Sequence, residues 1–340
     1  MTKALIMRRG FSRFQKHGRG RPRLHWLVLV LLGAINPFVC GQQIKPTGRE
    51  RRALQEQWFL RGRSSQGGIG ALQRQRAHMQ KMQMRADRLR KAQQSGTEAL
   101  PPAAAVWSPL GPAPLASDAS GVGEFNYGWV SGRATAVAID PADATGNTVY
   151  IGGAYGGVWK STNAGPASPS PANVIWQPLT DNQATLAIGA IAIQPGNNNI
   201  NDSLILVGTG EANSSTDSYY GLGILRSANA GATWTLISAD TTGTRSFAGM
   251  AFSKIAFSSA NPLLAVAATA GASEGILEGR LANPLTANLG LYDSGDGGNT
   301  WSYASVVDGN VATAPGSATS VVYNAAAGQF FAALRYHGFY

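Results

Sequence analysis

From residue 131 onward, apolar residues come in short runs broken by Gly, Pro, Asn and Asp. Val137-Ala-Ile139-Asp140, Ile191-Ala-Ile193-Gln194, Ile255-Ala-Phe257-Ser258 and Val321-Val-Tyr323-Asn324 recur at spacings of 54, 64 and 66 residues. Each leads into a turn segment such as Asp140-Pro141 or Gln194-Pro195-Gly196-Asn197, then into a second apolar run. Those second runs are Thr148–Gly152, Leu204–Gly208, Leu263–Ala267 and Phe330–Leu334. Third runs follow as Gly157-Val-Trp159-Lys160, Gly223-Ile-Leu225-Arg226 and Gly290-Leu-Tyr292-Asp293. β-branched and aromatic residues between turn formers predict strands rather than helices.

Each third run flows into a hairpin signature of the form S-x-[DN]-x-G-x-T-W. One copy carries Ser227, Asn229, Gly231 and Trp234, and another carries Ser294, Asp296, Gly298 and Trp301. A broken copy begins Ser161-Thr-Asn163-Ala-Gly165, and a Pro/Ser/Ala-rich stretch separates it from Trp176. Asp or Asn can bond its own backbone two residues on, and Gly accepts a positive φ. The Trp leaves the turn on a fourth strand with a large apolar surface, so Trp234 and Trp301 are expected to be buried. Four short strands per unit, repeated, read as blades of a β-propeller. The fold class is therefore all-β: an incomplete propeller over 131–340, with three blades and part of a fourth. That fourth blade reaches Gly338-Phe339-Tyr340 where its third strand should begin. Open first and last blades leave unpaired surfaces, which predicts self-association.

These signatures resemble the BNR/Asp-box repeat family, whose propellers include sialidases, xyloglucanase-type glycoside hydrolases and sortilin-type receptors. Ser131-Gly-Arg133-Ala-Thr-Ala-Val-Ala-Ile-Asp140-Pro, Gly156-Gly-Val-Trp-Lys-Ser161-Thr and Gly208-Thr-Gly-Glu211-Ala-Asn213 are similar to stretches in large secreted bacterial repeat proteins. The resemblance covers residues 107–340. Three blades and part of a fourth cannot close a ring, so the chain is expected to be the N-terminal fragment of a longer protein or an incomplete gene product. The resemblance implies little about activity, because the family mixes enzymes, receptors and scaffolds. In xyloglucanase-type propellers one catalytic Asp lies in a first-blade stretch like R-T-D-x-G-G. The matching stretch here is Gly152 to Gly157, with Ala154 at the Asp position. The sialidase F/Y-R-I-P stretch is absent, and only five arginines lie beyond residue 97, so no arginine triad can be assigned.

The chain's ends change the picture in two ways. Residues 1–41 read as a signal peptide: a basic start, the apolar run from Trp26 to Ile35, and small residues before Gln42. Export to the extracellular space or cell envelope is expected, and cleavage after Gly41 would remove Cys40, the single cysteine. No transmembrane helix is expected in the mature chain. The formal charge of +10 is unevenly spread. Residues 42–96 hold 13 Lys/Arg against 3 Asp/Glu, whereas 97–340 hold 7 against 15. The basic stretch, Arg/Gln-rich with Leu72, Met79, Met82, Ala86 and Leu89 at helical spacing, predicts a solvated helix. Similar segments precede the propeller in the resembling bacterial proteins, and that resemblance implies packing on the propeller's flank. The stretch lacks the stacking platform of a nucleic-acid binder, so no nucleic-acid partner is expected. Residues 97–130 read as a Pro/Gly-rich linker with a leading strand.

Candidate chemistry gathers in the loops joining second to third strands and each blade to the next. These grow along the chain, and long loops on one face of a rigid scaffold are where sites form. The candidates are Arg133, Tyr155, Glu211, Asp217, Tyr219 and Tyr220, with Arg245, Glu274 and Arg280 as further polar residues. Tyrosines can stack sugar rings, and Glu211 can act as an acid, a cation ligand or a plain loop acceptor. Arg133 can brace a neighbouring blade. No metal site, cofactor motif, nucleophile elbow or phosphate loop appears. The expectation is a secreted, non-catalytic scaffold that binds an extracellular glycan or protein. The alternative is a glycoside hydrolase whose active site is incomplete or degenerate, since such enzymes need two carboxylates across the scissile bond.

Overall fold

The computed structural model describes residues 47–51, 53–54, 70–95, 115–116, 128–165, 170, 173–213, 218–271 and 286–340. The expected signal peptide and most of the 97–130 linker lie outside the described residues. The chain divides into two units, Met1–Gln55 and Glu56–Tyr340. In the first, Thr47 and Glu50 form a reciprocal cap. The Glu50 carboxylate accepts from the Thr47 amide and hydroxyl at 2.7 and 2.9 Å, while the Glu50 amide donates to Thr47 Oγ1 at 3.4 Å.

The second unit opens with helix α1 (Gly70–Ser95), and a small ribbon pairs β1 (Leu115–Ala116) with β2 (Trp129–Val130). Four antiparallel sheets follow, each with its strands in chain order. The first holds β3 (Ala134–Ile139), β4 (Val149–Gly153), β5 (Gly157–Ser161) and β6 (Gln177–Pro178). The second holds β7 (Ile188–Ile193), β8 (Ile205–Thr209), β9 (Ile224–Ser227) and β10 (Thr235–Ile237). The third holds β11 (Ala251–Phe257), β12 (Ala265–Ala270), β13 (Gly290–Ser294) and β14 (Ser302–Ala304). After the ribbon β15 (Val307–Asp308)–β16 (Val311–Ala312), the fourth sheet holds β17 (Ala318–Asn324), β18 (Gln329–Leu334) and β19 (Gly338–Phe339). First strands lie side by side, β3 against β7, β7 against β11 and β11 against β17, as in consecutive propeller blades.

Every first strand carries a register shift at the same place, between Ala134/Ala136, Ile188/Ala190, Phe252/Lys254 and Ala318/Ser320. A bulge at a fixed point re-aims one side chain. In the first sheet that residue is Thr135, whose hydroxyl lies 3.1 Å from the Gly152 carbonyl and 2.6 Å from the Ile188 carbonyl of the next sheet. In the third it is Ser253, 3.2 Å from the Ala268 carbonyl and 2.6 Å from the Ala318 carbonyl of the next sheet. Gly189 holds the place in the second sheet, where a Cβ would collide with the Gly210 and Phe252 carbonyls. A hydroxyl thus bonds across the first and third seams at this height, and a bare glycine lets the main chains approach closely at the second.

Between the sheets lie three apolar seams. Tyr150, Val158, Ile191, Val207 and Leu225 fill the first, and Leu206, Ile224, Ile255, Tyr292 and Trp301 the second. Leu291, Val321 and Ala332 lie in the third. The hairpin signatures close the opposite end of each sheet. The amide following the Asx residue bonds the turn between first and second strands in all three copies. The bonds are Ala164 N to Asn147 O, Ala230 N to Ser203 O and Gly297 N to Leu263 O, at 3.0, 2.9 and 2.8 Å. Trp301 is fully buried, as expected, whereas Trp234 is only half-buried.

The interrupted copy is a complete box with an insertion. Ten residues, 166–175, stand where the other copies have two. Yet Asn163 Oδ1 accepts from the Ile175 amide at 2.9 Å, and Ile175 precedes Trp176 as Thr233 precedes Trp234.

Candidate functional site

The loop joining β8 to β9 folds back on itself, with the Glu211 amide donating to the Tyr219 carbonyl at 2.8 Å. This brings Glu211, Tyr219 and Tyr220 together at the loop end of the second sheet. Asp217 lies in the same loop but outside the described residues, as do Glu274 and Arg280 in the loop before β13. From the first sheet, the segment just ahead of β3 supplies Arg133, and the turn between β4 and β5 supplies Tyr155. The two segments are tied by the Ala154 amide on the Arg133 carbonyl at 2.9 Å.

Arg133 and Glu211, 78 residues apart, form a bidentate pair across the first seam. Nε lies 2.6 Å from Oε1 and Nη2 lies 2.8 Å from Oε2. The Asn213 side-chain amide also donates to Oε1 at 2.6 Å. The Glu211 side chain is buried while that of Arg133 remains 43% exposed. Both carboxylate oxygens are therefore engaged. A carboxylate held this way is poorly placed to exchange a proton with a substrate, and its geometry is that of a planar fork-to-fork clamp. Removing Arg133 would leave a buried carboxylate without its counter-ion, at a cost of about 3 kcal/mol.

Beside the clamp, the Tyr155 and Tyr219 rings stack with centroids 4.3 Å apart and planes tilted by 33°. Arg74 of α1 sits over the Tyr219 ring at 5.7 Å. Tyr155 keeps 44% of its surface exposed. Tyr220 goes the other way: it is buried with Leu222, Ala248 and Ala251 under Ala71 and Leu72 of the helix. The helix thus meets the propeller through its first turn, on the loops, rather than along the flank. Its remaining turns stay solvated, with Met79, Met82 and Leu89 exposed.

Of the residues singled out in the sequence, the structure gathers Arg133, Tyr155, Glu211, Tyr219 and Tyr220 into one cluster. Arg245 stands apart, its guanidinium 3.9 Å from the Tyr303 ring centroid, bracing the turn over β14. Sequence reasoning missed Asn213 and Arg74. Asn213 follows Glu211 by two residues, a spacing at which a side-chain amide can reach back to the carboxylate. Nothing in the helical pattern marks Arg74. Among the described residues, no three His, Cys, Asp or Glu side chains converge, and no helix is long and apolar enough to cross a membrane. A separate concave groove of about 490 Å³ runs along the first strands at the box end, lined by Ile139, Ile193, Lys254, Phe257 and Tyr323 among others.

No protein-family model matches the chain, and no curated protein matches it. Among solved structures, the chain is similar to an ancestral GH74 enzyme, at 20% identity and a TM-score of 0.39 over 60% of this chain and 23% of that one. It is also similar to the GH74 xyloglucanase from Xanthomonas campestris, at 18% identity and a TM-score of 0.35 over 59% of this chain and 26% of that one. The chain spans about a quarter of the length of each of these proteins.

Proposed function

We propose that this chain is a secreted, non-catalytic binding scaffold of the Asp-box type, and that its loop face takes a glycan on the Tyr155–Tyr219 platform. The carrying observation is the exposed Tyr155 ring stacked on Tyr219, over whose ring the Arg74 guanidinium sits. Stacked aromatic faces present a flat apolar surface to the C–H face of a sugar ring, and a neighbouring Arg supplies hydrogen bonds to hydroxyls. The Ala154 amide on the Arg133 carbonyl and the Glu211 amide on the Tyr219 carbonyl fix the two tyrosines' segments to the clamp residues, so the platform is preformed rather than assembled on binding. Tyr220, which is buried, contributes position rather than contact.

The hydrolase alternative is disfavoured on two grounds. Ala154 stands where the resemblance would call for a catalytic Asp, and both Glu211 oxygens are engaged. A glycan array probed with the purified chain and with Tyr155→Ala and Tyr219→Ala tests the proposal. Loss of binding by at least tenfold in both variants, with folding intact, is the expected result. Binding unchanged in both would move the site off this platform, and turnover of xyloglucan or a sialoside by the chain would return it to the enzymes. Export would be checked by mass spectrometry of the secreted product, whose first residue should be Gln42.

A further inference from the structure

Helix α1 carries Met79, Met82 and Met84, half of the chain's six methionines. Methionine is ordinarily among the buried residue types, yet Met79 is 53% exposed, Met82 40% and Met84 59%. The helix docks on the propeller loops through Ala71 and Leu72 instead. Packing on the propeller therefore does not explain these side chains. Among the described residues, no grouping of His, Cys, Asp or Glu forms a metal site, but thioether sulfur is a metal ligand too.

Helical geometry sorts the three. Met79 lies three positions before Met82 and His78 four before it, so these side chains share one face over a single turn. Met84 follows Met82 by two and falls on the opposite side. A methionine side chain has three rotatable bonds and a polarisable sulfur. Two thioethers and an imidazole can therefore converge on one point without any change in the backbone. This grouping depends on the helix alone and not on what surrounds it.

The surroundings decide what such a point can hold. No hydrogen bond or ion pair engages the His78 side chain among the described residues. Burial, and then the neighbouring Lys81 and Arg85 charges, hold its pKa below the ordinary value of 6.5. At neutral pH the imidazole is therefore uncharged, with a lone pair for a metal. The helix has one carboxylate, Asp87, and Arg90 engages it. Calcium and magnesium bind through oxygen, which this cluster does not offer. Two neutral sulfurs and a neutral nitrogen suit a soft ion, and a single charge is easier to place beside Lys81 and Arg85 than a double one. We propose that Met79, Met82 and His78 form a copper(I) site on helix α1, with Met84 outside it.

Cys40, the single cysteine, would take a soft ion by itself, so the test uses the full chain carrying Cys40→Ser. Copper(I) affinity is read by competition with a chromophoric chelator, and silver(I) nitrate in chloride-free buffer serves as a redox-inert probe. Met79→Leu/Met82→Leu should weaken binding of one equivalent roughly tenfold or more, since outer-shell changes alone cost that much at metal sites. His78→Gln should weaken it as well, whereas Met84→Leu should leave it unchanged. Leu keeps the volume and the helix propensity, and circular dichroism verifies the helix. With methyl-labelled methionine, silver(I) should shift the Met79 and Met82 resonances and spare those of Met84 and Met250. Unchanged affinity in the double variant, or an equal loss in Met84→Leu, would overturn the proposal and leave only diffuse thioether binding. Calcium or magnesium shifting the same resonances at equal concentration would overturn the assignment to a soft ion.

Discussion

The boxes of the second and third sheets share a plan but not an outcome. Asn229 and Asp296 take the same place, and each accepts the amide of the Thr before its Trp, at 2.9 and 3.0 Å. Ser227 and Ser294 each accept the amide of the box glycine at 2.9 Å. Beyond the turn the two diverge. Trp301 is fully buried and donates its indole N–H to the Gly298 carbonyl at 3.2 Å. Trp234 is half-buried, and its buried indole nitrogen meets no acceptor. The turn chemistry is local and repeats. How deeply the Trp sinks depends on what the neighbouring sheet offers. Leu204 and Leu206 line the second seam with Trp301, whereas Thr148 and Tyr150 stand at the equivalent places of the first sheet.

The largest effect expected from this contrast is on the tryptophans. Trp301→Ala empties a site closed on all sides, and should destabilise by about 3–5 kcal/mol. Trp234→Ala removes a ring already partly in water, together with an unsatisfied donor, and should cost roughly half as much. Chemical denaturation of both variants checks the order. Equal losses would show that burial in the seam does not separate the two boxes.

The blade units themselves were legible because period-two runs punctuated by Gly, Pro and Asn leave few alternatives to short strands. The hairpin box was legible for the same local reason. Seam depth was not, since it depends on side chains some 50 to 80 residues away, as with Tyr150, which donates to the Ala230 carbonyl at 3.2 Å. The Arg133–Glu211 clamp was hidden likewise: each residue could be nominated, but no periodicity couples positions 78 apart. The helix shows a third limit. Its stripe from Leu72 to Leu89 gives the apolar face but not which turn docks, and only the first does.

A smaller effect separates the boxes by acid. Burial pushes the Asp296 carboxyl up, but the Thr300 hydroxyl and amide, the Ser294 hydroxyl and the Asn299 amide together outweigh it. They hold it below its ordinary value of 3.8. A carboxyl lowered on folding contributes stability that is fully present above its unfolded value and is lost as pH falls through the folded one. The third box should therefore loosen below about pH 4, whereas Asn229 has no proton to take up. Asp296→Asn should leave stability at neutral pH nearly unchanged and flatten its decline below about pH 4. Asp143 is also lowered, to about 2, chiefly by bonds from the Thr145 and Thr148 hydroxyls, so a residual slope will remain. Identical acid profiles for the variant and wild type would remove Asp296 from the acid response.

The smallest effect tests the interrupted box against the intact one by the same substitution. In the intact box, Asn229 Nδ2 donates to Thr233 Oγ1 at 2.8 Å. Asn229→Asp converts that contact into the one already present in the third sheet, where the Thr300 hydroxyl turns round and donates to Asp296 Oδ2 at 2.6 Å. Its cost should be under about 0.5 kcal/mol, because a hydroxyl can exchange donor for acceptor. In the interrupted box, Asn163 Nδ2 instead donates to the Asn173 carbonyl at 2.9 Å, across the base of the insertion. A carbonyl cannot turn donor, so Asn163→Asp sets two acceptors against each other and should cost about 1 kcal/mol. Thermal unfolding of the two variants reads the difference. Equal, negligible losses would mean that the insertion is held by the Ile175 amide alone, and that Asn163 serves only as an acceptor.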